Sequence, residues 1–208
     1  MKVLMVNGSP NKEGCTYTAL TEMAKVYEAQ KVEVEIIQLG KTPIRDCIAC
    51  GKCRELDNAC VFDDDQVNEF LEKAKDADGI VFGTPVYYAH PSGRILSFLD
   101  RAFYAGSKSL ADKPGAMIAS ARRAGTTASM DVINKYFTIA NMPIVSSSYW
   151  NGVHGNTPEE VRQDLEGLQT VKNIAVNMTW LMQCIAVGRQ QGISNPQRYT
   201  GNRTNFIR

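Results

Sequence analysis

The sequence predicts an α/β fold: a five-stranded parallel sheet covered by helices on both faces, in three layers. Short apolar runs alternate with longer segments of helical periodicity, as strands buried on both faces require. One run alone alternates apolar with charged residues, which marks it as an edge strand. The chain is 208 residues long and 44% hydrophobic, and its apolar runs are spread evenly, so one domain with a sizeable core is expected rather than two.

Each element follows in chain order. The first strand is residues 3–6, broken at once by Asn7, Gly8, Ser9 and Pro10. Residues 16–29 contain neither Gly nor Pro and read as a helix. Val32, Val34 and Ile36 then alternate with Lys31, Glu33 and Glu35 in the edge strand. The third strand is 79–82 and the fourth 116–119; residues 143–145, running on into Ser146, Ser147 and Ser148, form a weaker fifth. Helices are expected at 64–76, 92–104 and 127–141, the first opened by Asp63, Asp64 and Asp65, whose carboxylates suit a helix N-terminus. A last helix starts with Thr157 as N-cap, Pro158 at its first position and Glu159 and Glu160 in its first turn. It is expected to run to Val187, with Val161, Leu165, Leu168, Val171, Ala175, Met178, Met182 and Ile185 on one face. Residues 173–188 carry no charge, so this helix is read as packing on the sheet and on a second subunit, with Cys184 in the core. The organisation expected is a domain over 1–190 with a cysteine-rich loop at 46–61, and a tail at 191–208.

Composition excludes some functions. With 23 Lys+Arg against 22 Asp+Glu and a net charge of +1, no clustered basic surface for nucleic acid is expected. No stretch reaches the roughly 18–20 apolar residues of a membrane span, and the four apolar residues at the N-terminus fall short of a signal peptide. A cytoplasmic protein is expected, and six cysteines in a reducing compartment point to metal chemistry, catalysis or packing rather than disulfides.

Three loops carry ligand-binding signals. Residues 7–16, NGSPNKEGCT, join the first strand to the first helix at the carboxyl end of the strand, where a helix N-terminus offers free N–H groups to an anion. Ser9, Thr16 and Thr18 add hydroxyls and Lys12 adds charge, with Asn11 and Cys15 in the same turn. The segment is neither a P-loop nor a dinucleotide fingerprint; a plain capped turn is the alternative. The second loop, Thr84, Pro85, Val86, Tyr87 and Tyr88, is a stiff turn whose tyrosines suit the flank of a planar ring or, alternatively, the rim of the core. The third, with Ser120, Arg123 and Gly125, follows the fourth strand. In a sheet of order 2-1-3-4-5 all three converge on the switch point, where a flavodoxin-like fold holds FMN.

GSPNKEGCT, GTPVYY and SFLDRAF, taken in this order, resemble the NADPH-dependent FMN reductase and flavodoxin-like superfamily, and most of all its iron-sulfur flavoprotein branch. The resemblance runs to about Gly188 and is strongest in the first half. Cys15 departs from the asparagine of the usual loop, a small replacement that leaves the backbone donors in place; a reactive thiol at the helix N-terminus is the alternative reading.

The cysteine loop separates the branches of that superfamily. Cys47, Cys50 and Cys53 are spaced Cys-x2-Cys-x2-Cys, with Cys60 close behind. Such compact spacing suits the corners of one [4Fe-4S] cubane better than structural zinc, whose paired knuckles lie farther apart. Zinc and free redox thiols stay open as alternatives. The four cysteines match the branch's motif one by one, and their loop leaves the carboxyl edge of the second strand, beside the flavin loops.

The activity implied is that of an FMN-dependent oxidoreductase in which FMN, not a side chain, carries the chemistry. A [4Fe-4S] cluster would pass electrons between a donor such as ferredoxin and a small-molecule acceptor. The alternatives are an NAD(P)H-dependent reductase of flavin, quinone, azo or nitro compounds with a vacant or structural cysteine site, and a pure electron carrier. A homodimer or homotetramer is expected, without nucleic acid or membrane. His90 and His154 are read as surface residues, with contact to substrate or flavin as the alternative, and Asp100 and Arg101 as anchors of their helix.

Overall fold

Strand β1 (Lys2–Asn7) lies between β2 (Glu33–Gln38) and β3 (Gly79–Tyr87) and is parallel to both, Val3 facing Val34 on one side and Gly79 on the other. The computed structural model describes residues 1–207. Beyond β3 come β5 (Gly115–Ala121) and β6 (Gly152–His154), also parallel, so the parallel strands keep the flavodoxin-like order of second, first, third, fourth, fifth. An added two-residue strand, β4 (His90–Pro91), folds back antiparallel on the end of β3.

Alternation along the strands builds two cores. Leu4, Val6, Ile80 and Phe82 face one side of the sheet, where helices α2 (Gln66–Asp76), α3 (Gly93–Leu110) and α4 (Thr126–Ile139) cover them. Val3, Met5 and Val81 face the other, under α1 (Cys15–Ala29) and α6 (Leu165–Gln190). A period of two places successive side chains on opposite faces, and both faces are apolar, which is why these strands read as unbroken hydrophobic runs. Phe82 packs against Phe70, Phe98, Phe103 and Phe137, with ring centroids 5.6–6.4 Å apart.

Three expectations need correction. Residues 143–145 do not form the fifth strand: Ile144 makes a single bridge to Gly115, and β6 completes the sheet. The serines that follow are drawn to α6 instead, Ser147 Oγ donating to the Thr170 carbonyl at 2.6 Å and Asn177 Nδ2 to the Ser146 carbonyl at 2.9 Å. The last helix is two, α5 (Pro158–Gln163) and α6, broken at Asp164, whose φ of −76° and ψ of 75° leave the helical region. Asp164 stops one helix and starts the next, because Oδ1 accepts from the Gly167 N–H at 2.9 Å while Oδ2 accepts from the His154 N–H at 2.7 Å. Cys184 and Leu165 are exposed rather than core.

Residues 191–207 contain neither helix nor strand. They are pinned near their start by Asp112, which accepts from Asn195 Nδ2 at 3.0 Å and pairs with Arg198. Among the described residues no helix is long and apolar enough to cross a membrane.

Candidate functional site

Helix N-termini leave backbone N–H groups unpaired, and a side-chain cap ordinarily takes one of them. Asp65, Ser92, Thr157 and Asp164 cap α2, α3, α5 and α6. Helices α1 and α4 begin at Gly14 and Gly125 with no side-chain cap and no acidic residue in the first turn. These two follow β1 and β5, so their open ends lie at the carboxyl edge of the sheet, on either side of β3.

The loops there are firmly held. Ser9 is buried; its N–H donates to Asn7 Oδ1 at 3.1 Å, its carbonyl accepts from Gln38 Nε2 at 2.7 Å and its Oγ accepts from the Asn11 N–H at 3.1 Å. Gly8 passes so close to β3 that a Cβ would lie 2.8 Å from the Gly83 carbonyl. Buried Thr16 ties the first loop to the third, its Oγ1 lying 2.7 Å from Ser120 Oγ. Asn11, Lys12 and Arg123 extend into solvent, and Thr18 caps back onto the Gly14 carbonyl. Cys15 Sγ donates to the Gly155 carbonyl at 3.6 Å, and burial pushes its thiol up, against the reactive-thiol alternative.

In the second loop Thr84 is buried, Pro85 and Val86 are half-buried, and Tyr87 and Tyr88 are exposed. Thr84 Oγ1 accepts from the Ser92 N–H at 3.1 Å and donates to the Pro85 carbonyl at 2.9 Å. Gly125, at φ 100°, lies against this loop so tightly that a Cβ would stand 2.7 Å from Ala89 Cα. The turn between β3 and β4 holds Tyr88 and Ala89 both left-handed, at φ 51° and 63°. Asn-Gly fits such a two-residue hairpin, because asparagine tolerates the left-handed region and glycine has no Cβ, whereas tyrosine and alanine are penalised there. Ala89→Gly should therefore raise the unfolding free energy by about 1 kcal/mol in urea denaturation; an unchanged or lower midpoint would show that the turn is not strained. His90 and His154 are exposed, the latter at the end of β6.

The cysteine loop starts at the same edge and then follows α3 downward, touching it at Arg94, Ser97 and Arg101. Cys47, Cys50, Cys53 and Cys60 line one cavity of about 160 Å³, with Phe62, Arg101 and Tyr104 in its wall. Left-handed Ala49 and Gly51 turn the chain between the first three cysteines, and a 3-10 turn over Lys52–Arg54 carries Cys53. Asn68 secures the fourth: its Oδ1 accepts from the Cys60 N–H at 2.8 Å and its Nδ2 donates to the Cys60 carbonyl at 3.0 Å. Among the described residues no three Cys, His, Asp or Glu side chains converge on a point. A zinc ion needs donors at about 2.0–2.3 Å from one centre; the four thiols here line a cavity instead.

Arg101 was expected only to anchor its helix, yet it is buried and turned into this wall. Its Nε donates to Cys60 Sγ at 3.2 Å and its Nη2 to the Phe62 carbonyl at 3.0 Å; Nη1 reaches the Arg45 carbonyl at 3.3 Å and pairs with Asp65. Burial works against the guanidinium charge, but Asp65 and Cys60 outweigh it and hold Arg101 above its ordinary value. The signal for this role was the charge itself, set between buried Phe98, Leu99, Ala102 and Phe103.

The family model described as NADPH-dependent FMN reductase matches residues 1–157. The chain belongs to that family. An iron-sulfur flavoprotein of Methanocaldococcus jannaschii is 30% identical over 194 residues, covering 89% of this chain and 99% of the relative. One of Methanosarcina thermophila is 29% identical over 196 residues, covering 92% and 100%. These place the chain on the iron-sulfur flavoprotein branch of the NADPH-dependent FMN reductases. Among solved structures, an NAD(P)H:quinone oxidoreductase from Methanothermobacter marburgensis superposes with a TM-score of 0.65 at 14% identity, covering 86% of this chain and 97% of that one. The fold is thus the flavodoxin-like one, and this FMN reductase family member is a flavin-dependent oxidoreductase with FMN as its flavin.

Proposed function

We propose that this oxidoreductase passes electrons between a one-electron donor of the ferredoxin class and a small organic acceptor, through a [4Fe-4S] cluster and FMN. The observation that carries the reading is the single cavity lined by all four loop cysteines. Bound to the chain, FMN would supply two-electron chemistry and the cluster one-electron chemistry. The open N-terminus of α1, with Ser9, Asn11, Lys12, Cys15 and Thr16 around it, suits the FMN phosphate, since free N–H groups and the positive end of the helix dipole both favour an anion. Thr84, Pro85, Val86, Tyr87 and Tyr88 suit one flank of the ring, and Ser120, Arg123 and Gly125 its far edge beside the open end of α4. Cys47, Cys50, Cys53 and Cys60 would ligate the irons. Exposed Cys50, with exposed Ile48, Val61 and Tyr104 around it, offers a protein donor a partly apolar surface.

Anaerobic purification with iron, acid-labile sulfide and flavin analysis tests this reading. About four irons, four sulfides and one FMN per chain are expected. Stoichiometric zinc without iron or sulfide would overturn the cluster and leave an NAD(P)H-linked reductase with a structural cysteine site.

Exposed Val176, Trp180 and Val187 on α6, with exposed Tyr149 and Trp150, support a homodimer or homotetramer built on this face, because soluble monomers seldom expose such surface. Light scattering is expected to return two or four times the monomer mass, and Trp180→Asp to lower it. A concentration-independent monomer mass for the unaltered protein would refute this assembly.

A further inference from the structure

We propose that Arg101 is a positioning residue that raises the reduction potential of a cluster held by Cys47, Cys50, Cys53 and Cys60, and that Asp65 limits the rise. The inference rests on the cluster reading above and adds to it two residues that are not ligands. The guanidinium and the carboxylate are each 1% exposed, and they pair with each other at the wall of the cysteine cavity. Burying a cation is costly unless its hydrogen bonds are satisfied. Every partner of this guanidinium comes from the cysteine loop or its immediate continuation: the Arg45 and Phe62 carbonyls, Cys60 Sγ and Asp65. The guanidinium also lies over the Phe62 ring, 5.3 Å from its centroid.

This arrangement does more than hold a loop. An N–H aimed at a ligating sulfur draws electron density from it, and iron-sulfur potentials follow hydrogen bonds to sulfur, net charge and solvent exposure. Reduction adds one negative charge to the cavity. A buried cation in contact with Cys60 therefore favours the reduced state, and a buried anion just beyond it opposes that effect.

The opposite signs separate this role from simple support. The experiment is a dithionite titration of anaerobically prepared holoprotein, followed by electron paramagnetic resonance, with iron, sulfide and FMN contents measured alongside. Each step adds one electron to the cluster, supplied by the sulfur dioxide radical anion released when the S–S bond of dithionite breaks, and no bond at the cluster forms or breaks. Arg101→Gln should lower the midpoint potential by tenfold or more in the one-electron equilibrium constant, about 59 mV. Asp65→Asn should raise it; asparagine caps a helix as well as aspartate does, so α2 keeps its N-cap. Arg101→Lys, which keeps the charge without the fork, should fall between wild type and Arg101→Gln. If Arg101→Gln fails to hold a cluster, Asp65→Asn and Arg101→Lys still decide the sign. Shifts of the same sign for Arg101→Lys and Asp65→Asn, or no shift in either with the cluster present, would overturn the inference and leave the cluster reading standing. Wild-type protein without iron and sulfide would remove both.

Discussion

Replacing Cys50 with serine is expected to strip iron and acid-labile sulfide from anaerobically prepared protein and to leave FMN bound. Cys50 is the exposed member of the four cysteines around the cavity, so a serine there removes one ligand without opening the core. The loops proposed for FMN share no hydrogen bond with it among the described residues: Ser9 is held by Asn7 and Gln38, and Thr16 by Ser120. Iron content should fall at least several-fold while flavin stays near one per chain, and reduction of the flavin by a ferredoxin-class donor should fall with the iron. Loss of FMN together with iron would show that the two sites are not independent. Full iron content in the variant would show that Cys50 is not a ligand.

Gly14→Asp should separate stability from flavin binding, strengthening the apoprotein while weakening FMN affinity about 100-fold or more. Gly14 is the N-cap of α1, with ordinary φ of −84° and no side-chain cap, so aspartate can adopt its backbone and accept a hydrogen bond from the first turn. Its added Cβ would lie 3.0 Å from Asn11 Cβ and 3.6 Å from the Asn11 carbonyl, so the exposed turn at Asn11 has to shift by a few tenths of an ångström to admit it. The gain over glycine is a few tenths of a kcal/mol. The same carboxylate would occupy the N–H groups proposed for the FMN phosphate and would repel it; two charges near 4 Å at an effective dielectric of about 20 differ by roughly 4 kcal/mol. Fluorescence titration of apoprotein with FMN measures the loss. Unchanged affinity would move the phosphate away from α1.

The convergence of the three loops proposed for FMN was legible because its information is local. Turn residues after a buried strand, a glycine before a helix and the absence of a capping side chain can all be read within ten residues, and the structure gathers Ser9, Thr16, Thr84, Ser120 and Gly125 at one edge as the loops suggested. The cysteines were legible through spacing alone. What escaped was set by distant partners. Arg101 meets Cys60 41 positions away; its charge among apolar neighbours marks it out, but nothing in SFLDRAF names its partner. The fifth strand was misplaced because residues 143–145 have the stronger β-pattern, while Ser146, Ser147 and Ser148 bind α6 and leave Gly152–His154 to complete the sheet. The helix break at Asp164 likewise depends on the His154 N–H, a partner no periodicity can reveal.

That one carboxylate links the shortest parallel strand to the longest helix. With its two oxygens shared between the His154 and Gly167 amides, any departure of β6 from the sheet removes one of the two bonds that hold the carboxylate capping α6. The two are thus expected to open together in hydrogen exchange, with fluctuations at the edge of the sheet felt in the helix that holds the exposed tryptophan. Assembly through that helix would protect the strand as well, so the last third of the chain and the subunit contact would gain and lose order together.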